Sequence, residues 1–452
     1  DWVLGKLQVS QPSVTAFDSE TMKKDLFELY LNDYKQNWLW FLQGIKYTGF
    51  ESVPLAANSL KILSDPVNSP LILILKLFTD ETKFIVDMQT SADTGKTSSF
   101  TQAAFGSSAI FDIKRLRKFI LGAEDGSAPA DLNAVIAQYG LVSGTVETIT
   151  GGQDLSKDYA VNVLNQRAVE FPTSLQVMRG ALYSTPEFQN LFIEPIKLTW
   201  SAILNDASQY LNLQWKVKVV DIFNKSLAGS FPFDQSGGDS PIQDFTDFFR
   251  PQNGTLWLFF NDELAAFINK DRWKANQWEN QGINISSELL NTLKKADEIS
   301  SVMFKGGDVG ISFRLKPQLP VSKSIAGKKP TVIQVYLRLD GVEDTYKMGS
   351  TFWSDFTWPG TRGQPGSRMN ITLSDYGTSE TKSFDGEWAL FRLLVDASSI
   401  RAESASQFAF NWTFYKDNFY DVTVSYTLSA ASSRNPFTAN FFKSFKLPGK
   451  IN

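Results

Sequence analysis

The chain has 452 residues, with 44 Lys and Arg against 48 Asp and Glu, and it contains neither His nor Cys. Without imidazole or thiol there is no Ser-His or Cys-His dyad, no His or Cys metal ligand, no disulfide and no ordinary side-chain switch near pH 7. A formal net charge of -4 gives no electrostatic footprint for nucleic acid. At about 150 residues per domain, the length fits about three domains. No apolar run approaches the ~20 residues of a membrane span, since the longest aliphatic stretch, 71–75, stops at Lys76. The chain opens Asp1-Trp2-Val3 with no Met and no signal-peptide pattern, so it reads as a piece of something longer with any targeting element upstream.

Up to about residue 304 apolar residues recur at spacings of three and four, the period of helices. After Asp18-Ser19 a stripe of Met22, Leu26, Leu29, Tyr30, Tyr34, Trp38, Phe41, Leu42 and Ile45 predicts a long core-facing helix, ended by Gly44 or Gly49. Ser69-Pro70 opens a second helix over 71–78, with Pro suited to a first turn. The Ser/Thr-rich stretch 90–108 reads as a loop. Helices follow over 111–121, 131–139, 158–169, 186–191 and from 195 to 215 or beyond, punctuated by Gly122, Gly126, Pro129 and Gly151-Gly152. The basic run Lys114-Arg115-Leu116-Arg117-Lys118 reads as a solvated helix face.

Beyond residue 304 the period changes to two. Val309, Ile311, Phe313 and Leu315 alternate with Gly310, Ser312, Arg314 and Lys316, and 332–339 alternates up to Asp340-Gly341, a hairpin signal whose second arm runs over 343–348. Further strands are expected over 369–373, 388–395, 408–415 and 420–428, and 388–395, mostly apolar on both faces, reads as a central strand. Roughly seven strands in about 125 residues fit one antiparallel sandwich. The fold class is therefore α+β multidomain: a helical N-terminal two-thirds followed by a C-terminal antiparallel β-sandwich. The divisions read as 1–225, helical; 226–304, helical; and 305–452, the sandwich.

Motifs with chemistry are scarce. Thr90 to Thr97 ends in Gly95-Lys96-Thr97 like a phosphate-binding loop but lacks its opening Gly and a following helix pattern. Pairs such as Asp234 with Asp239, or Asp385 with Glu387, carry the carboxylates a glycosidase needs, but 48 acids produce such pairs by chance. No stretch has the acidic spacing of a calcium loop. No catalytic, cofactor-binding or metal-binding residue is assigned.

Three groups of residues, taken in order, resemble a known family. Phe231-Pro232-Phe233-Asp234 leads to Asp244-Phe245-Thr246-Asp247-Phe248-Phe249, then to Asn253-Gly254 and Phe259-Phe260. Asp340-Gly341, Trp358-Pro359-Gly360 and Gly386-Glu387-Trp388-Ala389-Leu390-Phe391-Arg392-Leu393-Leu394 follow. This order resembles the C-terminal periplasmic region of the TssM (IcmF) family of type VI secretion systems. Looser likenesses lie at Tyr30 to Leu42 and at Ser69-Pro70-Leu71, while Phe445-Lys446-Leu447-Pro448 departs from the family's Phe-x-Cys-Pro-like end.

Each motif also has a reading as a fold signature: Phe245, Phe248 and Phe249 share a helix face, and Asn253-Gly254 would end that helix through a left-handed residue. The resemblance implies a scaffold and not an enzyme. It implies a periplasmic location in a Gram-negative bacterium, with the membrane reached only through an upstream anchor. It also implies binding to the outer-membrane lipoprotein TssJ through the β-domain, association with TssL, and self-association into a ring-like complex. The aromatic residues Phe352, Trp353, Phe356 and Trp358 are the candidate partner-binding residues, since exposed aromatics anchor interfaces. The alternative reading is a periplasmic or secreted carbohydrate-active protein with a β-sandwich binding module.

Overall fold

The computed structural model describes residues 19–85, 108–123, 126–325, 327–360, 365–438 and 440–452. The phosphate-loop-like segment 90–97 and almost all of the expected loop 90–108 lie outside them. The chain divides into two compact units, one of residues 1–207 with 278–281 and the other of 208–277 with 282–452.

The first unit is helical: α1 Ser19–Gly44, α2 Val53–Leu63, α3 Pro70–Glu81, α4 Ser108–Leu121, α5 Ala130–Glu147, α6 Gln153–Leu164, α7 Glu170–Ala181 and the first two-thirds of α8 Gln189–Trp215. Helix α2 starts where the Ser52 side chain accepts from the Leu55 N–H, and α3 starts on Pro70, as its sequence predicts. Helix α5 packs against α2 and α7. Its buried polar groups are bonded: Ser143 Oγ donates to the Ala57 carbonyl at 2.9 Å and the Tyr139 hydroxyl to the Phe192 carbonyl at 2.6 Å. The turn Trp278-Glu279-Asn280-Gln281 belongs to this core. Trp278 meets Trp200 at 5.3 Å and Phe171 at 6.3 Å between ring centroids, and the Arg179 guanidinium grips both Glu279 carboxylate oxygens at 2.9 and 2.6 Å. That fork holds the Glu279 carboxyl below its usual range.

Two expectations change in this unit. Helix α1 forms, but its apolar stripe does not face the core: Met22, Leu26, Leu29, Tyr30 and Phe41 are exposed, while Leu31 and Leu42 are buried. The helix carries apolar residues on more than one face, and α4 takes the face that includes Leu31 and Lys35, whose ammonium donates to Asp112 at 3.0 Å. The basic run of α4 is not simply solvated either. Arg115 pairs with Glu187 and donates to the Ser184 carbonyl, and Arg117 donates to the Thr79 carbonyl and the Thr82 hydroxyl.

The second unit begins within α8 and continues through a π-helical turn, Lys216–Val220, into α9 Asp221–Ser226, then α10 Ile242–Phe249, α11 Thr255–Phe259 and α12 Ser287–Met303. Helix α10 stops at Phe249 because Pro251 follows, and the left-handed residue is Gln252, with φ 68. The sequence expectation placed that stop at Asn253-Gly254; Gly254 instead precedes α11 as its N-cap.

After α12 the chain builds the sandwich: β1 Ile311–Pro317, β2 Val321–Lys323, β3 Val332–Leu339, β4 Val342–Tyr346, β5 Ser354–Trp358, β6 Gly366–Leu373, β7 Gly377–Thr378, β8 Lys382–Asp385, β9 Ser399–Ala402, β10 Gln407–Lys416 and β11 Tyr420–Ala430. One sheet runs β7-β6-β3-β4 with β8 also on β6, the other β9-β10-β11-β1-β5 with β2 also on β11, and every pairing is antiparallel. Burial alternates along β3, β6, β10 and β11, so each sheet turns one apolar face inward. The hairpin at Asp340-Gly341 forms as its sequence predicts, both residues having positive φ, 45 and 84.

The expected central strand over 388–395 is a helix, α13 Ala389–Val395. Its run Ala-Leu-Phe-Arg-Leu-Leu holds good helix formers and no β-branched residue before Val395. Ala389, Leu390, Phe391, Leu393 and Leu394 are all buried, so this short helix is apolar nearly all round and shows no period to distinguish it from a strand.

Candidate partner-binding surface

The residues of the family-like motifs meet inside the second unit, where they form a joint of hydrogen bonds and rings. Phe233 packs on Phe245 and Phe249 at 6.2 and 5.6 Å, and Phe245 meets Trp388 at 5.3 Å. Trp388 Nε1 donates to the Ser240 carbonyl at 2.8 Å, and Trp358 Nε1 donates to the Glu387 carbonyl at 2.6 Å. Arg392 reaches Asp239 Oδ1 at 2.6 Å and the Gly237 carbonyl at 2.8 Å while lying over the Phe231 ring at 4.3 Å. Glu387 closes the start of α10 by accepting from the Ile242 N–H at 2.9 Å. Gly386, at φ +95, is required here: a Cβ would stand 2.5 Å from Asp239 Oδ2.

These contacts account for three of the four acids that sequence spacing singled out. Asp239 and Glu387 hold structural partners, and Asp234 accepts from the Ser236 N–H and hydroxyl in a local turn. Among the described residues no group of three or more Asp and Glu is placed to hold a metal ion, and no helix is long and apolar enough to cross a membrane.

The four candidate aromatics divide into two pairs. Phe356 and Trp358 are 2% and 1% exposed and belong to the core. Phe356 stacks on Phe313 at 5.8 Å, and Trp358 meets Trp388 at 4.8 Å and Phe391 at 5.1 Å. They alternate inward along β5 between exposed Asp355 and Thr357, so neither is a surface anchor in this fold. Phe352 is 72% exposed and Trp353 37% exposed. Both lie in the crossover from β4 to β5, where the Arg314 guanidinium sits 5.3 Å from the Trp353 ring centroid. The crossover joins edge strands of different sheets, and Ser354 Oγ there donates to Asp344 Oδ1 at 3.2 Å. Sequence reasoning missed Leu319, Val321 and Tyr415, which are also exposed on the sandwich; the outward register of Tyr415 in β10 was the available signal.

Comparison with known proteins gives three domain models in chain order. The model described as "Intracellular multiplication and human macrophage-killing", IcmF-related, matches residues 1–83. The type VI secretion protein IcmF helical domain matches 206–309, and the type VI secretion protein IcmF C2-like domain matches 313–432. A curated relative, the type VI secretion system component TssM1 of Pseudomonas aeruginosa, is 25% identical over 485 residues; the alignment takes in 100% of this chain and 41% of the relative. A chain of a type VI secretion system membrane core complex superposes with a TM-score of 0.68 at 21% identity, over 96% of this chain and 85% of that one. A chain of a type VI membrane complex does so at 0.66 and 20% identity, over 94% and 79%. At these identities the two solved structures speak for the fold. The helical model ends and the C2-like model begins where α12 gives way to β1, and the three models together take in more than half the residues. By its domain models and their order, the chain belongs to the IcmF (TssM) family of type VI secretion proteins.

Proposed function

We propose that this chain is a structural, non-enzymatic part of a type VI secretion membrane complex, working in the periplasm of a Gram-negative bacterium. The observation that carries the reading is the order of the IcmF helical and C2-like models along a chain whose fold matches a membrane core complex over 96% of its length. The C-terminal sandwich, residues 305–452, binds the outer-membrane lipoprotein TssJ, the helical part of the chain self-associates into a ring, and TssL joins the same complex. The exposed pair Phe352 and Trp353 supports the placement of the lipoprotein contact, since aromatic side chains of this kind anchor interfaces.

Co-purification with TssJ tests this reading. The full chain is expected to retain the lipoprotein, a fragment of residues 305–452 to retain it equally, and residues 1–300 to retain none while sedimenting as an oligomer at high concentration. Equal retention of TssJ by 1–300 and 305–452 overturns the placement, and a 1–300 fragment that stays monomeric, with no homotypic contact in the assembled complex, overturns the assignment of self-association.

A further inference from the structure

Two open sheets leave free edges, and a free edge offers unpaired N–H and C=O groups to any extended chain. Natural sheets blunt such edges with Lys, Pro, bulges, very short strands or charges that point inward. Most edges of this sandwich are blunted in one of these ways. Strand β7 has two residues and β2 three, β8 carries Lys382, and β9 has four residues with Arg401 among them. Strand β4 carries Asp344, whose carboxylate turns inward: Oδ1 accepts from Ser354 and Oδ2 is buried.

Strand β5 has no Lys, no bulge and no inward-pointing charge, and its one charged side chain is the exposed Asp355. Its five residues, Ser354-Asp355-Phe356-Thr357-Trp358, include no Lys, Arg or Pro, and they pair without a bulge on β1, from Ile311 opposite Trp358 to Leu315 opposite Ser354. Among the described residues no strand lies on its other side. Just before it stand the two exposed aromatics, Phe352 and Trp353. Asp355 is exposed and makes no ion pair among the described residues, although Arg314 is its register partner on β1. A basic side chain on the open side would complement it.

We infer that the free edge of β5 is a strand-addition site: an extended segment of a partner protein pairs with Ser354–Trp358, setting a basic residue beside Asp355 and an apolar one against Phe352 and Trp353. Main-chain bonds supply the affinity of such docking and the side-chain contacts its selectivity. A second copy of this chain fits less well. Antiparallel self-pairing centred on Phe356 sets Pro359, which has no N–H, opposite Trp353, and centring it on Asp355 brings two carboxylates face to face.

The inference deepens the proposed lipoprotein contact and rests on it, so the test separates the two. Amide hydrogen exchange of the full chain is measured with and without saturating TssJ, alongside binding to Phe352→Ala/Trp353→Ala and Asp355→Lys variants. Strand addition predicts slowed exchange within 354–358, at least a tenfold loss of affinity for the double variant, and at least a fivefold loss for Asp355→Lys, with the melting temperature unchanged for Asp355→Lys and only slightly lowered for the double variant, which gives up the Arg314–Trp353 contact. Binding that leaves 354–358 unprotected and slows exchange elsewhere in the sandwich overturns strand addition but leaves the lipoprotein contact standing. Absence of TssJ binding to the unmodified chain overturns both. A dimer of the chain alone, seen by light scattering and abolished by Asp355→Lys, assigns the edge to a second copy and overturns the heterologous partner.

Discussion

Asp344 shows how much one side chain does at the edge of the sandwich. It sits on edge strand β4 with one carboxylate oxygen accepting from Ser354 Oγ and the other buried beside the hydroxyl of Tyr426, which is itself buried. Burial pushes the Asp344 carboxyl above its usual range, with the Ser354 and Tyr426 hydroxyls pulling the other way. A carboxyl whose folded pKa is raised stabilises the fold when protonated, and that contribution is lost as pH rises through the folded value. At neutral pH the carboxyl therefore costs stability, and Asp344→Asn is expected to raise the melting temperature at pH 7. The gain should shrink as pH falls and vanish below about pH 4, where the unfolded carboxyl is protonated too. Melting curves of both proteins across pH 3 to 8 check this; a gain independent of pH would mean that charge is not the cause. The sequence offered no hint of this residue, because an Asp in an outward-inward alternation at a hairpin arm looks like any solvated acid. The same limit applies to Phe356 and Trp358. Their composition marks them as aromatic, and only the register of β5 against β1 decides that they point inward while Phe352 stays out.

At the scale of elements, the period of apolar residues carried most of the information. Most helices of the first 215 residues and the strands around Asp340-Gly341 and 407–430 follow from it, because long, one-sided amphipathic segments have one period only, whereas α2 Val53–Leu63, α7 Glu170–Ala181 and α12 Ser287–Met303 were not marked by it. It failed for α13, where both faces are apolar, and for the covered face of α1, where two faces compete. Helix α13 is also where the motif residues do their work, since Arg392 reaches back from it to Asp239 and the Gly237 carbonyl and lies over Phe231. Both side chains of the ion pair are about four-fifths covered, so removing one leaves the other poorly solvated. Arg392→Ala is expected to cost about 3 kcal/mol. Arg392→Lys should recover little, because an ammonium cannot reproduce a planar fork that bonds two acceptors and stacks on a ring. Urea titrations compared with exposed Arg401→Ala measure this. A midpoint for Arg392→Ala that moves no further than that of the Arg401 control would show that the joint contributes nothing.

For the whole molecule, the sequence conveys the change from helix to sandwich but not where one compact unit ends. The division falls within α8, between Ala207 and Ser208, and no apolar period marks where a continuous helix stops packing on one core and starts on another. The turn 278–281 is assigned to the first unit although both of its flanks belong to the second, a long-range fact that no local pattern encodes. The family-like end was similarly opaque: Phe445-Lys446-Leu447-Pro448 departs from the expected motif, yet its position in the fold is specific. Phe445 packs on Phe223, Phe233 and Phe249 at 5.4, 5.7 and 5.1 Å.

The residues after Phe445 strap the second unit to its own beginning. The Lys446 carbonyl accepts from Thr292 Oγ1 at 2.8 Å, and the Pro448 carbonyl accepts from Trp215 Nε1 at 2.8 Å. The Ile451 N–H donates to Asn212 Oδ1 at 2.8 Å, and its carbonyl accepts from the Ser286 N–H at 2.9 Å. Ile451 and Trp215 are both fully buried. Deleting residues 446–452 removes a buried Ile side chain, a loss of about 2 kcal/mol, and strands the indole N–H of a buried Trp, which costs about 2 kcal/mol more. Restoring the apolar contact alone should not repair the fold, whereas combining the deletion with Trp215→Phe removes the stranded donor and should return part of the loss. Denaturant titration of the full chain, the truncation and the combined variant separates the two contributions. A truncated chain as stable as the full one would show that the strap is an adornment of a unit that α12 and the sandwich already hold together.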